Sequence, residues 1–335
     1  MTDQARRQPA TIHDVAQLAG VNPSTVSRAL GKPGRVSAAT AERVRAAAAQ
    51  LDYRINPIAR ALLTGRTRTL GLVVADVTNP AVFGIVRGAE RVAREHDYTL
   101  VIAESQGDPD AEAATTERLL LSVDGLILAT TRMDPERIHS LAERKPVVLV
   151  NRSLDGVDAV LPDIACGVDQ LVEHLAGLGH RDVLYLAGAA GSWISHARAE
   201  ALGAAAARRG LTLRMSGPNE PTIDAGRARA REALASGVTA VIGFNDLLAI
   251  GLLQAAASEG RKVPAELSVA GFDDIFGSEF IVPSLTTVRT PFTEVGAAAT
   301  AVLLAGVEGA HAHRADDGGE LITELVVRNS TGPRG

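Results

Sequence analysis

Thr11-Ile12-His13-Asp14-Val15-Ala16-Gln17-Leu18-Ala19-Gly20-Val21-Asn22-Pro23-Ser24-Thr25-Val26-Ser27-Arg28-Ala29-Leu30 decides how the chain begins to fold. Thr11 can accept a hydrogen bond as an N-cap, and Asp14 three residues on can answer it, so a helix opens there. Ile12, Val15, Ala16 and Ala19 fall on one face at helical spacing. Gly20 ends that helix, because a residue tolerating positive φ suits the position after a last turn. Val21 plugs the turn, Asn22 caps again, and Pro23 fits the first position of a second helix. In that helix Val26, Ala29 and Leu30 face inward while Ser24, Thr25, Ser27 and Arg28 can face outward. A third helix is expected from about Ala38 to Leu51, with Val44, Ala47, Ala48 and Leu51 inside. Two short helices across a glycine turn, with a third packed over them, is helix-turn-helix geometry. Hydroxyls and a guanidinium on a slim second helix suit base edges and phosphates in a major groove. A three-helix bundle used for protein contact is the alternative.

Charge separates those alternatives. Residues 1–68 hold 11 Lys/Arg and 4 Asp/Glu, a net of +7, whereas the rest of the 335-residue chain holds 23 and 35, a net of −12. The overall −5 points away from nucleic acid, but the split points one part of the chain toward it. With 46% hydrophobic and 22% charged residues, the composition is that of globular protein and excludes disorder over most of the length. Aromatics make up only 3%, so the core must be built from Ala, Val, Leu and Ile. The single Cys166 excludes an intramolecular disulfide and any multi-cysteine zinc site. Arg6 and Arg7 are not followed by an apolar signal segment, and no apolar run approaches the ~18 residues of a membrane span. A soluble cytoplasmic protein, with no membrane contact, is expected.

From Thr69 onward apolar strands and amphipathic helices alternate. Leu70–Val74, Leu100–Ala103, Leu126–Leu128 and Val147–Val150 read as strands, with a helix over Val82–His96. After Asp163 the rhythm repeats: helices over Gly167–Leu178, Ala197–Arg209 and Leu247–Glu259, strands over Val183–Leu186, Ala240–Phe244 and Leu267–Ala270. Such alternation predicts an α/β body of two doubly wound parallel-sheet lobes, with ligand between them at the carboxyl ends of the strands.

The residues of the head closely resemble the opening of the LacI/GalR family of bacterial transcription regulators. Thr11–Ala16, Ala19-Gly20-Val21 and Thr25-Val26-Ser27-Arg28 carry the likeness, which continues through Val36-Ser37, Thr40, Arg43-Val44, Leu51-Asp52-Tyr53 and Asn56–Leu62. The body resembles the family's periplasmic-binding-protein-like core. The matching stretches there are Gly179-His180-Arg181, Phe244-Asn245-Asp246, Val263-Pro264, Ser268–Asp274, Pro283–Val288 and Thr323–Arg328. The resemblance implies a helix-turn-helix domain over 10–55 and a hinge helix and linker over 56–68. It implies an N-lobe of 69–163 plus 291–319 and a C-lobe of 164–290 plus 320–330. It also implies a homodimer on a near-palindromic double-stranded DNA operator, acting as a repressor, with a small-molecule effector that is a carbohydrate or sugar-like compound.

By this resemblance Pro23, Ser24 and Arg28 hold base-reading positions, and Thr11, Thr25 and Ser27 flank them. In the hinge, Asn56 and Arg60 lie beside Leu62 and Leu63, Leu62 matching the leucine that the family pushes into the minor groove. A helix of about eight residues is marginal alone, so the hinge should form only against a partner or DNA. An apolar wedge there would unstack a base step and be repaid by wider contact.

The expected effector site gathers Asn79, Phe83, Asn151, Arg152, Trp193, Arg198, Asn245, Asp246 and Asp273. Arg198 matches an effector-binding arginine of the family. Asp246 and Asp273 follow strands directly, where an α/β cleft opens, and Asn151 and Asn245 lie at equivalent strand ends. Amides, carboxylates and a guanidinium suit a polyhydroxylated ligand, although a helix-capping role serves Asp246 equally well. After Asn79-Pro80 the family has an aromatic pair, but this chain has Ala81 and Val82, with Phe83 one residue later. Trp193, with small residues before it, is the candidate replacement platform.

Enzyme readings find no support. Gly188-Ala189-Ala190-Gly191 lacks the G-x-G-x-x-G fingerprint, and there is no G-x-x-x-x-G-K-[ST] phosphate loop. His311 and His313 have no third ligand nearby, and Cys166 reads as structural. No cofactor, catalytic residue or metal is expected. A transport-type ligand-binding protein would share the body, but the head argues against it.

Overall fold

A computed structural model describes residues 10–31, 35–53, 65–309 and 321–334. Contacts divide the chain into two compact units, one ending at Thr67 and one beginning at Arg68.

The first unit is a three-helix domain: α1 (Ile12–Ala19), α2 (Pro23–Gly31) and α3 (Ala38–Gln50). Thr11 caps α1 as expected, its hydroxyl accepting from Asp14 N while the Asp14 carboxylate takes the Thr11 N–H at 2.8 Å. Gly20 stops α1 in the left-handed region at φ 63°, which lets Val21 N–H reach back to the Ala16 carbonyl at 3.0 Å. The core is small: Val15, Ala16, Ala19, Val26, Val44, Ala47 and Ala48 are buried, with Ile12, Leu30, Leu51 and Tyr53 packed around them.

The second unit holds two sheets. The first contains β1 (Thr69–Val74), β2 (Thr99–Glu104), β3 (Gly125–Ala129), β4 (Val147–Val150) and β5 (Asp158–Val160), all parallel, in the order β2-β1-β3-β4-β5. Its helices are α4 (Ala81–Glu95), α5 (Pro109–Leu120), α6 (Pro135–Ala142) and the later α11 (Phe292–Glu308), which packs on α4, β3, β4 and β5. The α4–α11 crossing is close enough that a Cβ at Gly88 would sit 1.9 Å from the Thr293 carbonyl oxygen.

The second sheet contains β6 (Asp182–Leu186), β7 (Thr212–Ser216), β8 (Ala240–Gly243), β9 (Ser268–Asp273), β10 (Thr286–Arg289) and β11 (Glu324–Val326). Its order is β11-β10-β9-β8-β6-β7, with β11 alone antiparallel. Around it lie α7 (Ile164–Gly177), α8 (Trp193–Arg208), α9 (Ile223–Ala235) and α10 (Asp246–Ser258). Read from β7, the parallel strands repeat the order of the first sheet, so each lobe has a switch point where the strand order reverses. Aliphatic side chains dominate both cores, as the scarcity of aromatics requires.

The strand and helix expectations hold with shifted ends. The helix expected from Ala197 begins at Trp193, because Ser192 caps it by accepting from Ser195 N–H. Sequence reading passed over α5, α6, α9, α11 and the short or polar strands β5, β7, β10 and β11. Among the described residues no helix is long and apolar enough to cross a membrane, and no three metal-ligating side chains gather.

Candidate functional site

The face of the head offered to a ligand is set by α2. Val26 is fully buried, which turns Ser24, Ser27 and Arg28 outward, exposed to solvent; Pro23 and Thr25 are half-buried. Thr11, at the start of α1, is also exposed. Asn56, Arg60, Leu62 and Leu63 lie outside the described residues, as do His311 and His313.

In the body, a cleft with about 720 Å³ of empty space, part of it open to solvent, lies between the two lobes. Both switch points open onto it. From the N-lobe come Val74, Ala75 and Asp76 after β1, Asn79, Ala81, Val82 and Ile85 at the start of α4, Ala129, Thr130 and Arg132 after β3, and Asn151 after β4. The C-lobe supplies Ser192, Ile194 and Arg198 from α8, Pro221, Phe244 after β8, and Asp273 at the end of β9. Phe292 closes the floor from the first turn of α11.

Arg198 and Asp273 form a buried ion pair at 2.7 Å, 6% and 7% exposed. The same guanidinium donates to the Phe244 carbonyl at 2.6 Å and lies between the Phe244 and Phe272 rings, 5.0 and 4.7 Å from their centroids. These contacts hold the guanidinium in place. On the opposite wall Asn151, 5% exposed and at φ 59°, has a side-chain oxygen with no hydrogen-bond partner.

Of the nine expected effector residues, the cleft collects Asn79, Asn151, Arg198 and Asp273. The other five are placed elsewhere, each for a local reason. Phe83 is half-exposed and outside the cleft lining, stacked on Phe276 of the C-lobe at 6.5 Å, since one residue along a helix turns the side chain by about 100°. Trp193 lies in the first turn of α8 and packs on the C-lobe core, while its neighbours Ser192 and Ile194 face the cleft. It is not among the residues that line the cleft.

Arg152 points beneath the loop after β3 and donates to the carbonyls of Thr131 and Met133 at 3.1 and 2.7 Å. Asn245 caps α10 through Leu248 N–H and donates to the Pro221 carbonyl. Asp246 is fully buried, accepting from Ile275 N–H at 2.9 Å, Ser278 Oγ at 2.6 Å and Thr287 Oγ1 at 2.5 Å. Burial and the nearby Asp273 carboxylate push its pKa up to about 7, against the pull of those three donors. It ties the ends of β8, β9 and β10 together and does not line the cleft.

Sequence reading missed Asp76, Thr130, Arg132, Ser192, Phe244 and Phe292. Thr130 and Arg132 follow a buried parallel strand directly, which is the signal that could have found them.

A helix-turn-helix domain on one chain with a two-lobed, periplasmic-binding-protein-like domain defines a transcriptional regulator with a DNA-binding part and an effector part. The chain belongs to the LacI family of bacterial transcriptional regulators. Residues 11–56 match the model of bacterial regulatory proteins of the lacI family, and residues 172–331 match that of the periplasmic binding protein-like domain. The HTH-type transcriptional regulator PtxS of Pseudomonas putida is 32% identical over 342 residues, 98% of each chain. Among solved structures, the lac repressor dimer bound to operator and the anti-inducer ONPF superposes with a TM-score of 0.86 at 26% identity, covering 97% of this chain and all of that one. The transcriptional regulator CelR in complex with cellobiose reaches a TM-score of 0.69 at 28% identity, over 96% and 99% of the two chains. These relatives are regulators, not enzymes, and the transport-type alternative is not favoured.

Proposed function

We propose that the chain is an operator-binding repressor, working as a homodimer, whose affinity for DNA is set by a small polyhydroxylated effector in the cleft. The observation that carries the effector reading is the cleft itself. A pre-paired Arg198–Asp273 and two amides, Asn79 and Asn151, line one cavity at both topological switch points. Cellobiose in CelR and the operator in the lac repressor structure support the same reading by analogy.

Ser24 and Arg28 of α2 read bases, with Pro23, Thr25, Ser27 and Thr11 supporting them against the backbone. Asn56, Arg60, Leu62 and Leu63 form the hinge contact in the minor groove. The lobes divide as 69–163 plus 291–319 and 164–290 plus 320–330, after a head of 10–55 and a linker of 56–68. Effector binding moves the lobes and so weakens the paired hinges. The protein works in the cytoplasm, bound to the nucleoid when on its operator.

The test is a titration of the full chain on an operator duplex selected from random sequence. Coupling between two sites is reciprocal, so operator must shift effector affinity by the same factor that effector shifts operator affinity. Equal effector affinity with and without operator would refute the mechanism. For the head, Arg28→Ala should weaken specific binding by ~1–3 kcal/mol and relax one operator position, leaving random DNA less affected.

A further inference from the structure

We propose that the effector is a polyhydroxylated acid, its anionic group held by Arg132 and one of its hydroxyls donating to Asn151. The inference rests on the effector reading above and deepens it by naming the ligand class.

Four charged side chains line the cleft: Asp76, Arg132, Arg198 and Asp273. Arg198 and Asp273 cancel each other in their buried pair, and Arg198 Nη1 holds the Phe244 carbonyl. The cation left to a ligand is Arg132. It is held in position from several sides. Its backbone N–H donates to the buried Glu112 carboxylate at 3.2 Å, and its Nη1 donates to the Gly107 carbonyl at 3.2 Å. Gly107, at φ 70°, lies against the guanidinium so closely that a Cβ there would sit 3.2 to 3.3 Å from Nη1, Cζ and Nη2. The Arg132 side chain is 17% exposed, so it is partly stripped of water.

Its one described carboxylate neighbour across the cleft is Glu220, at 3.7 Å and 67% exposed. That distance is beyond a hydrogen bond, and exposed pairs of this kind contribute little. A guanidinium anchored through Nη1, with no hydrogen bond described at Nε or Nη2, presents that edge to a carboxylate or phosphate, which accepts two parallel N–H bonds. Asn151 makes a second and different demand. Its buried oxygen only accepts, so the complementary ligand atom is a donor, which a hydroxyl supplies and an ionised acid group does not. One ligand meets both demands if it carries an acid group and hydroxyls together.

Thermal unfolding of the full chain, measured with D-gluconate, D-glucuronate and a hexose phosphate against neutral D-glucose and cellobiose, tests this. An acid should raise Tm, and the carboxylates and the phosphate compared with one another identify the acid group. Arg132→Gln, checked for an unchanged Tm without ligand, should weaken the acid by roughly 10–100-fold. Glu220→Gln removes the competing carboxylate and should tighten the acid by up to about 5-fold, an opposite change that general destabilisation does not produce. A shift with neutral sugars and none with acids overturns the proposal but leaves the sugar-effector reading standing. No shift with any compound counts against both. An acid shift that survives Arg132→Gln in full also overturns the proposal.

Discussion

The two walls of the cleft are built on the same strand order but in opposite electrostatic condition. On the C-lobe wall the two charged side chains that line the cleft are paired with each other. Arg198 is locked by Asp273, the Phe244 carbonyl and two rings, and behind it Asp246 accepts three hydrogen bonds. On the N-lobe wall Asn151 holds an orphaned acceptor and Arg132 faces a distant carboxylate. The C-lobe wall is therefore a finished surface. The N-lobe wall keeps polar groups without strong partners, and such groups have the most to gain from a bound molecule. Substitutions on the first wall should cost stability, and those on the second should cost response.

The largest effect should come from breaking the finished wall. Asp273→Ala leaves the Arg198 charge 6% exposed with no counterion, and removing one partner of a buried pair typically costs about 3–5 kcal/mol. Urea unfolding measures it. A loss below ~1 kcal/mol, the range of solvated pairs, would mean that water already shares this site and that the walls do not differ.

Next is Arg152→Ala, under the N-lobe wall. It frees the carbonyls of Thr131 and Met133 and removes a neighbour that favours the charged form of buried Glu112. A cost of about 1–3 kcal/mol is expected, together with faster amide exchange at Arg132 and Met133. Unchanged exchange there would show that the loop is held by other contacts.

Asp246 gives a pH dependence with a definite sign. Its folded pKa, pushed to about 7, lies above its unfolded value of 3.8, so between those limits the folded state binds more protons. Stability should fall as pH rises from about 4 to 7, by at most ~1.4 kcal/mol per pH unit from this group. The Asp246→Asn variant should lose that slope. An identical slope in the variant would assign it to other groups.

The same contrast explains what could be read from the sequence. Local signals in the head were complete: Thr11, Asp14 and Gly20 each bond to partners no more than four residues away, and all three do what their chemistry dictates. In the body the alternation of strands and helices gave two lobes, but the missed helices α5 and α6 open on Asp108-Pro109 and Asp134-Pro135, cap and first-turn pairs that were legible. Site residues were harder, because a strand end points successive side chains to opposite sides. Asn151 and Arg152 are neighbours in sequence, yet one lines the cleft and the other lies beneath a loop. Asp246 was ambiguous for a similar reason, since its partners come from residues 275, 278 and 287, far along the chain.

The smallest expected change in stability belongs to Asn151, and it separates the walls most cleanly. The residue sits at φ 59°, a conformation that Asn tolerates and Gly adopts freely. Asn151→Gly removes an orphaned acceptor, which favours folding, and adds backbone freedom to the unfolded chain, which opposes it by roughly 0.5–1 kcal/mol. The two nearly cancel, so stability should stay within about 1 kcal/mol of the parent. The ligand-induced rise in Tm should nevertheless be lost, because the donor hydroxyl no longer finds its acceptor. If the variant instead unfolded as readily as Asp273→Ala, Asn151 would belong to the finished wall, and the orphaned oxygen would be meeting a structural need.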